Sequence, residues 1–149
     1  MRDTLLTLHI LAAGAWFGTN VVQIAVNPTL GSKSAEVAAD WHRTLVKFSR
    51  YLYMPASLII LGTGVWMVLD SDAWEFSQAF VSIGFLAIIL GAVLGMAFFA
   101  PNSRKAADAL DNGDTDTARA IEQRVNIVGS LDTVVIIVTV VAMVAKWGA

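Results

Sequence analysis

Four long stretches without a charged side chain dominate this sequence. Residues 4–27, 51–69 and 76–100 contain no Asp, Glu, Lys or Arg, and residues 125–145 contain only Asp132. A hydrocarbon layer of about 30 Å is crossed by about 20 helical residues, so each stretch is long enough to span a bilayer. Inside lipid the backbone must satisfy its own hydrogen bonds, which leaves helices or closed barrels. Runs this long without strand alternation read as helices. The fold expected is therefore all-α, a transmembrane bundle of four antiparallel helices, with spans at about 4–27, 46–69, 76–100 and 124–146. Loops at 28–45 and 101–123 join them at one end.

Composition supports that reading. Hydrophobic residues make up 56% of the 149 and charged residues 15%, against about 45–50% and about 25% in soluble domains. The chain is short enough for one domain. A net charge of −2 offers no basic field for nucleic acid. With no cysteine, disulfides, thiolate metal sites and cysteine nucleophiles are excluded. Residues 1–15 have some look of a signal peptide. However, Asp3 cancels Arg2, and the apolar run continues through Trp16 and Phe17 to Val26, which favours a retained span.

The basic residues set an orientation. Lys33, Arg43, Lys47 and Arg50 lie between spans 1 and 2, and Arg104, Lys105, Arg119 and Arg124 between spans 3 and 4. Only Arg2 and Lys146 lie at the opposite end, beside the acidic loop of Asp70, Asp72 and Glu75. The positive-inside rule then predicts a multi-pass protein of the cell membrane with both long loops cytoplasmic and both termini extracytoplasmic. Trp74 and Trp147 fall in the outer aromatic belt and Trp41 in the inner one. Pro28 is expected to end span 1 at Asn27. Ser34 is placed to cap a helix bearing Val37, Trp41, Leu45 and Phe48, which is expected to lie on the membrane surface. Asn112-Gly113 reads as a turn between two helical extensions, with Asp114 or Thr115 capping the second.

Helical phase gathers polar side chains in the bilayer. His9, Trp16, Asn20, Gln23 and Asn27 of span 1 lie within about 40° of one line. Lipid cannot satisfy such groups, so the stripe should face protein. Gly14 and Gly18 lie opposite and would admit a partner backbone, from a second copy or a larger membrane complex. Asp132 costs about 2.5–3.5 kcal/mol in lipid on insertion scales and needs a neighbour. Counting residues from the inner end puts it level with Asn20 and Gln23, and Arg50 is the cation expected to reach it. Pro55 is expected to kink span 2. Ser77, Gly84, Gly91 and Gly95 form a packing stripe on span 3. His42 reads as interfacial, nearly a membrane thickness from His9.

At the depth of His9, the other spans offer Gly64, Met67 and Met143. Imidazole with thioether suits haem iron or copper(I). The sequence around these residues resembles a bacterial membrane superfamily: His9 with Trp16-Phe17-Gly18, Tyr53-Met54-Pro55, Gly62-Thr63-Gly64, and Met143-Val144-Ala145-Lys146. It is similar to the HemJ-type protoporphyrinogen oxidases, the CopD-type copper-resistance domain and, most of all, an uncharacterised branch of four-helix proteins. The HemJ resemblance implies b-haem held by the first-helix histidine and oxidation of a porphyrinogen. That family carries a basic residue and a second histidine later in its first helix, and Asn20 to Asn27 hold neither. The expectation is a haem-binding membrane protein of electron transfer or porphyrin chemistry. His9 would be axial ligand, Met143 a second ligand, Gly64 and Trp16 would line the site, and Arg50 could meet a propionate. The alternatives are a non-catalytic scaffold or assembly subunit docking through Gly14/Gly18, and copper handling by His9 and Met143.

Overall fold

The computed structural model describes residues 2–149. Four helices long and apolar enough to cross a membrane follow one another: α1 (Arg2–Gly31), α2 (Ala35–Leu69), α3 (Ala79–Asp111) and α4 (Thr115–Ala145). Connections of a few residues make neighbours antiparallel, and the helices meet in the ring order α1–α2–α3–α4. One end of the bundle carries the α1–α2 and α3–α4 turns and is here called the stalk. The other end carries both chain ends and the 70–78 loop.

Side-chain chemistry explains the ends of the helices. Ser34 Oγ accepts the Val37 N–H and caps α2. The Asp114 carboxylate accepts the Thr117 N–H at 3.0 Å and caps α4. Between α3 and α4 the chain turns through Gly113 at φ +77°, in the left-handed region where a Cβ would be strained. At the other end Trp74 lies beneath the Arg2 guanidinium, 4.4 Å from the ring centroid, and the Lys146 ammonium, at 5.3 Å. This clamp joins both termini to the 70–78 loop.

Three expectations at the stalk are corrected. Pro28 does not end α1, which continues to Gly31. Asn27 is held helical because its side chain is bound on both sides, by Trp41 and by Asn126. The segment after Ser34 does not lie on the membrane surface, since it is the first part of the continuous helix α2. Its buried face is Ala38, Ala39, His42 and Leu45, packed along the stretch of α3 that buries Ser103, Ala106 and Ala107. Alanines at 0–3% exposure on both sides let the two backbones approach closely. That buried stripe outcompetes the alternative line through Val37, which is exposed. Nor is His42 interfacial, with only 4% of its surface exposed. Arg43 completes the join by binding Asp40 and Asp111.

Two interruptions shape the bilayer region. Residues Ser49–Tyr53 in α2 and Gly95–Phe99 in α3 are single π-helical turns, and they face each other across the bundle. Prolines follow both, at Pro55 and Pro101. A proline ring presses on the carbonyl four residues back, here Tyr51 and Ala97, each inside a π turn. Widening the turn relieves that contact without breaking the helix. Sequence reading foresaw an irregularity at Pro55 but not at Pro101.

Candidate functional site

The four helices line a partly open cavity of about 610 Å³ in the stalk-side half of the bilayer region. Its walls are mainly apolar, including Leu61, Ile88, Met96 and Phe99, and both π turns contribute to them. Helices α2 and α3 pack tightly in the stalk and much more loosely across the span, which leaves this space between them. Polar groups converge on one wall.

That wall is a directed chain of hydrogen bonds. Gln23 Nε2 donates to the Tyr53 hydroxyl at 2.7 Å, and the Tyr53 hydroxyl donates to Asn20 Oδ1. Asn20 Nδ2 then donates to Asp132 Oδ2 at 3.2 Å. Every donor points towards the carboxylate, so each bond polarises the next. Asp132 is only 8% exposed, and among the described residues no cation pairs with it. Its second oxygen is left to meet something else.

Arg50 does not join this cluster. Its guanidinium lies over the Tyr51 ring and is exposed. The π turn explains the miss. One additional residue in a turn displaces everything before it by about 100° of helical phase. Counting an unbroken α-helix from Arg50 therefore put the wrong side chain inside. Tyr53 takes the position, and the sequence signal was a pair of phenols, Tyr51 and Tyr53, at the start of a mainly apolar span.

His9 lies nearer the termini, against α2. The Thr63 hydroxyl donates its single proton to Ile59 O at 2.5 Å. Its oxygen must then accept at the 2.9 Å contact with His9 Nδ1. In that arrangement the neutral ring carries its proton on Nδ1 and its lone pair on Nε2. Gly64 lies beside the ring, where a Cβ would stand 3.5 Å from Cε1, an ordinary contact. Met143 is turned elsewhere, its methyl lying against Gly84 of α3 and packed with Val81 and Phe80. The structure thus joins His9 to Gly64 but gives the Met143 thioether a different neighbour. Among the described residues no three His, Asp or Glu side chains gather as a metal site.

Trp16 divides the two regions. Its indole is buried against Gly91, meets Tyr53 edge-on at 5.4 Å, and lies with Ala12 and Ala56 among Ile60, Ile88 and Ile136. This apolar layer closes the central cavity towards the termini. Gly14 and Gly18 have no neighbour within 4 Å of a Cβ position and lie on the outer surface.

A second cavity, of about 400 Å³, lies in the stalk and is lined by Trp41, His42, Arg119 and Glu122. His42 Nε2 bonds Glu122 Oε1 at 3.0 Å, while Nδ1 is buried without a partner. Trp41 Nε1 donates to Asn27 Oδ1 at 2.7 Å, and Asn27 Nδ2 to Asn126 Oδ1 at 3.1 Å. None of these stalk contacts was anticipated from sequence, because each joins residues of different helices.

A family profile described as "Predicted integral membrane protein (DUF2269)" matches residues 3–147. The chain belongs to that family. No curated protein matches it, and no solved structure does. Membership in DUF2269 agrees with the four spans and names an architecture without naming an activity.

Proposed function

We propose that this DUF2269 protein binds a lipophilic small molecule inside the membrane, with the molecule's hydrogen-bond-donating or cationic head at Asp132. One observation carries the reading: a 610 Å³ cavity with mainly apolar walls and a chain of hydrogen bonds, Gln23 to Tyr53 to Asn20, that ends on one buried carboxylate. Pockets for small molecules commonly measure about 300–1,000 Å³ and combine apolar walls with a few oriented polar groups. A buried carboxylate without a cation is unfavourable, and a donor on the ligand would correct that. The loosely packed α2–α3 face gives such a molecule a route from the bilayer.

Trp16 lines the cavity and can report binding. With the other four of the five tryptophans changed to Phe, a bromoalkylamine should quench Trp16 fluorescence saturably. Gly95 lines the cavity, with open space where a Cβ would stand. Gly95→Phe should therefore abolish quenching, and Asp132→Asn should weaken it at least tenfold. Quenching that is non-saturable and identical in all three proteins would refute the assignment.

The second reading is b-haem at His9, in line with the resemblance to the HemJ-type proteins. It is favoured by the Nε2 lone pair, directed by the bond from Nδ1 to Thr63, as in many metal-ligating histidines. Met143 and Arg50 do not belong to this version of the site, and neither cavity described above is lined by His9. Copper(I) through His9 and Met143 meets the same difficulty with Met143. Expression with ample haem followed by a spectrum decides: a Soret band lost in His9→Ala supports the reading, and a colourless parent ends it. The open face at Gly14 and Gly18 favours in addition a partner helix, from a second copy or a larger complex. The orientation we propose is stalk in the cytoplasm and both termini outside, in the cell membrane.

A further inference from the structure

We propose that the stalk cavity is an aqueous inlet delivering protons to Asp132 from the stalk side alone. This goes beyond ligand binding and concerns the protein with no molecule in the central cavity.

The two cavities adjoin. Asn27, Pro28, Leu45, Val125 and Asn126 line both of them, so the Asn27–Asn126 bond forms a polar neck. From Asn27 to Asn20 is seven residues of α1, about 10 Å at 1.5 Å per residue, with Gln23 between. From Asn126 to Asp132 is six residues of α4, about 9 Å, with Ser130 between and also lining the cavity. A polar group thus recurs at each turn on both helices. The stalk cavity itself has room for on the order of ten waters at about 30 Å³ each, and its ionisable lining requires them.

His42 and Glu122 supply a proton-handling pair at the mouth. The carboxylate can only accept, so His42 Nε2–H donates to it, and the buried Nδ1 offers a lone pair to an incoming proton. Protonation there gives an imidazolium beside a carboxylate, with no unpaired charge. Passage onward through water releases that proton, and its addition to Asp132 converts a carboxylate to a neutral carboxylic acid. Gly31 leaves room for Glu122, since a Cβ would stand 3.1 Å from Oε1.

Neighbouring charges do not compete with this path. From α4, His42 shares its cavity with Arg119 as well as Glu122. The buried α3 residues of the stalk are Ser103, Ala106 and Ala107, and α1 contributes Asn27 and Gly31; none of these is titratable. On its own helix Arg43 is engaged by Asp40 and Asp111. Asp132 meets Asn20 from α1, Tyr53 lies in the same chain from α2, and α3 brings no titratable group to the cavity. Towards the termini the Trp16 layer, with Ala12, Ala56, Ile60, Ile88 and Ile136, blocks water.

The absence of cysteine allows a direct test. In sealed vesicles of known orientation, Thr133→Cys, buried at 9% exposure and lining the central cavity beside Asp132, should react with a charged, membrane-impermeant methanethiosulfonate at least ten times faster from the stalk side than from the termini side. Val134→Cys, exposed on the outer surface of α4, should react from neither. A silent Thr133→Cys, or equal rates from the two sides, overturns the inlet. In the parent chain, a hydrophobic carbodiimide labels protonated carboxyls, and mass spectrometry locates the product. With pH 6 on one side and pH 8 on the other, labelling of Asp132 should follow the stalk-side pH in both gradient directions. Labelling that follows the termini side, or neither side, overturns the proton role.

Discussion

Glycines 84, 91 and 95 lie on one helix, yet alanine should affect each differently. A Cβ at Gly91 would stand 2.7 Å from Trp16 Cζ2 and 3.2 Å from Cη2, about 1 Å inside ordinary carbon contact. The indole cannot easily retreat. It is rigid, 6% exposed, and braced by Tyr53, which is itself held by Gln23 and Asn20. Gly91→Ala should therefore cost about 2–3 kcal/mol, the upper part of the range for overpacking. At Gly84 the Cβ would meet the Met143 methyl. That is the far end of a flexible, partly buried side chain, so Gly84→Ala should cost under about 1 kcal/mol. At Gly95 nothing lies within 4 Å, and alanine's helical preference should leave stability unchanged or raise it by up to about 1 kcal/mol. Unfolding by titration with sodium dodecyl sulfate from mild detergent micelles, followed by near-ultraviolet circular dichroism, gives the three values. Trp16→Phe should recover most of the Gly91→Ala loss by removing the clashing ring edge. If Gly91→Ala were as stable as Gly95→Ala, the tight packing of Trp16 against α3 would be wrong.

Three further outcomes are expected. Asp132→Leu should lower stability by about 1 kcal/mol, within the measured range for hydrogen bonds between membrane helices, and Asp132→Asn by less; equal stability of Asp132→Leu and the parent would show that Asn20 needs no partner there. A C-terminal alkaline phosphatase fusion should be active and a fluorescent-protein fusion dark, and the reverse pair of results would invert the proposed orientation. Hydrogen bonds from the Thr117 hydroxyl and N–H hold the Asp114 carboxyl below the ordinary carboxylate range; the stability it adds to the start of α4 is therefore present at neutral pH and fades as pH falls through that lowered value. Protection of the Thr117 amide from hydrogen exchange, taken relative to its intrinsic rate at each pH, should accordingly fall in acid in the parent and be low at all pH values in Asp114→Ala, and a parent whose protection does not change with pH would remove the cap's role.

Much of the candidate site was legible in helical phase. Asn20 and Gln23 share a line with Trp16 because α1 is regular through that region, so 100° per residue holds. Asp132 could be assigned to the interior from its cost in lipid alone. The same counting failed for Arg50, because the π turn at Ser49–Tyr53 interrupts the phase between the stalk and the span. Pro55 and Pro101 carried the signal for both π turns, but a proline permits a kink, a break or a widened turn, and only the neighbouring helices select among them.

The sequence by itself determined the number of spans, their antiparallel order, the cap at Ser34 and the turn at Asn112-Gly113, and it left Asp114 or Thr115 to cap α4. Each follows from local chemistry: uncharged length against bilayer thickness, a side-chain oxygen beside free N–H groups, a residue without Cβ at positive φ. Which faces meet was a different matter. Ala38, Ala39 and His42 were buried in preference to the Val37 line because Ala106 and Ala107 lay opposite to receive them. Thr63 became the partner of His9, and Tyr53 replaced Arg50 in the carboxylate's chain. Those outcomes depend on contacts between residues far apart in the chain, where a few degrees of phase decide which atoms touch, so only the packed bundle could decide them.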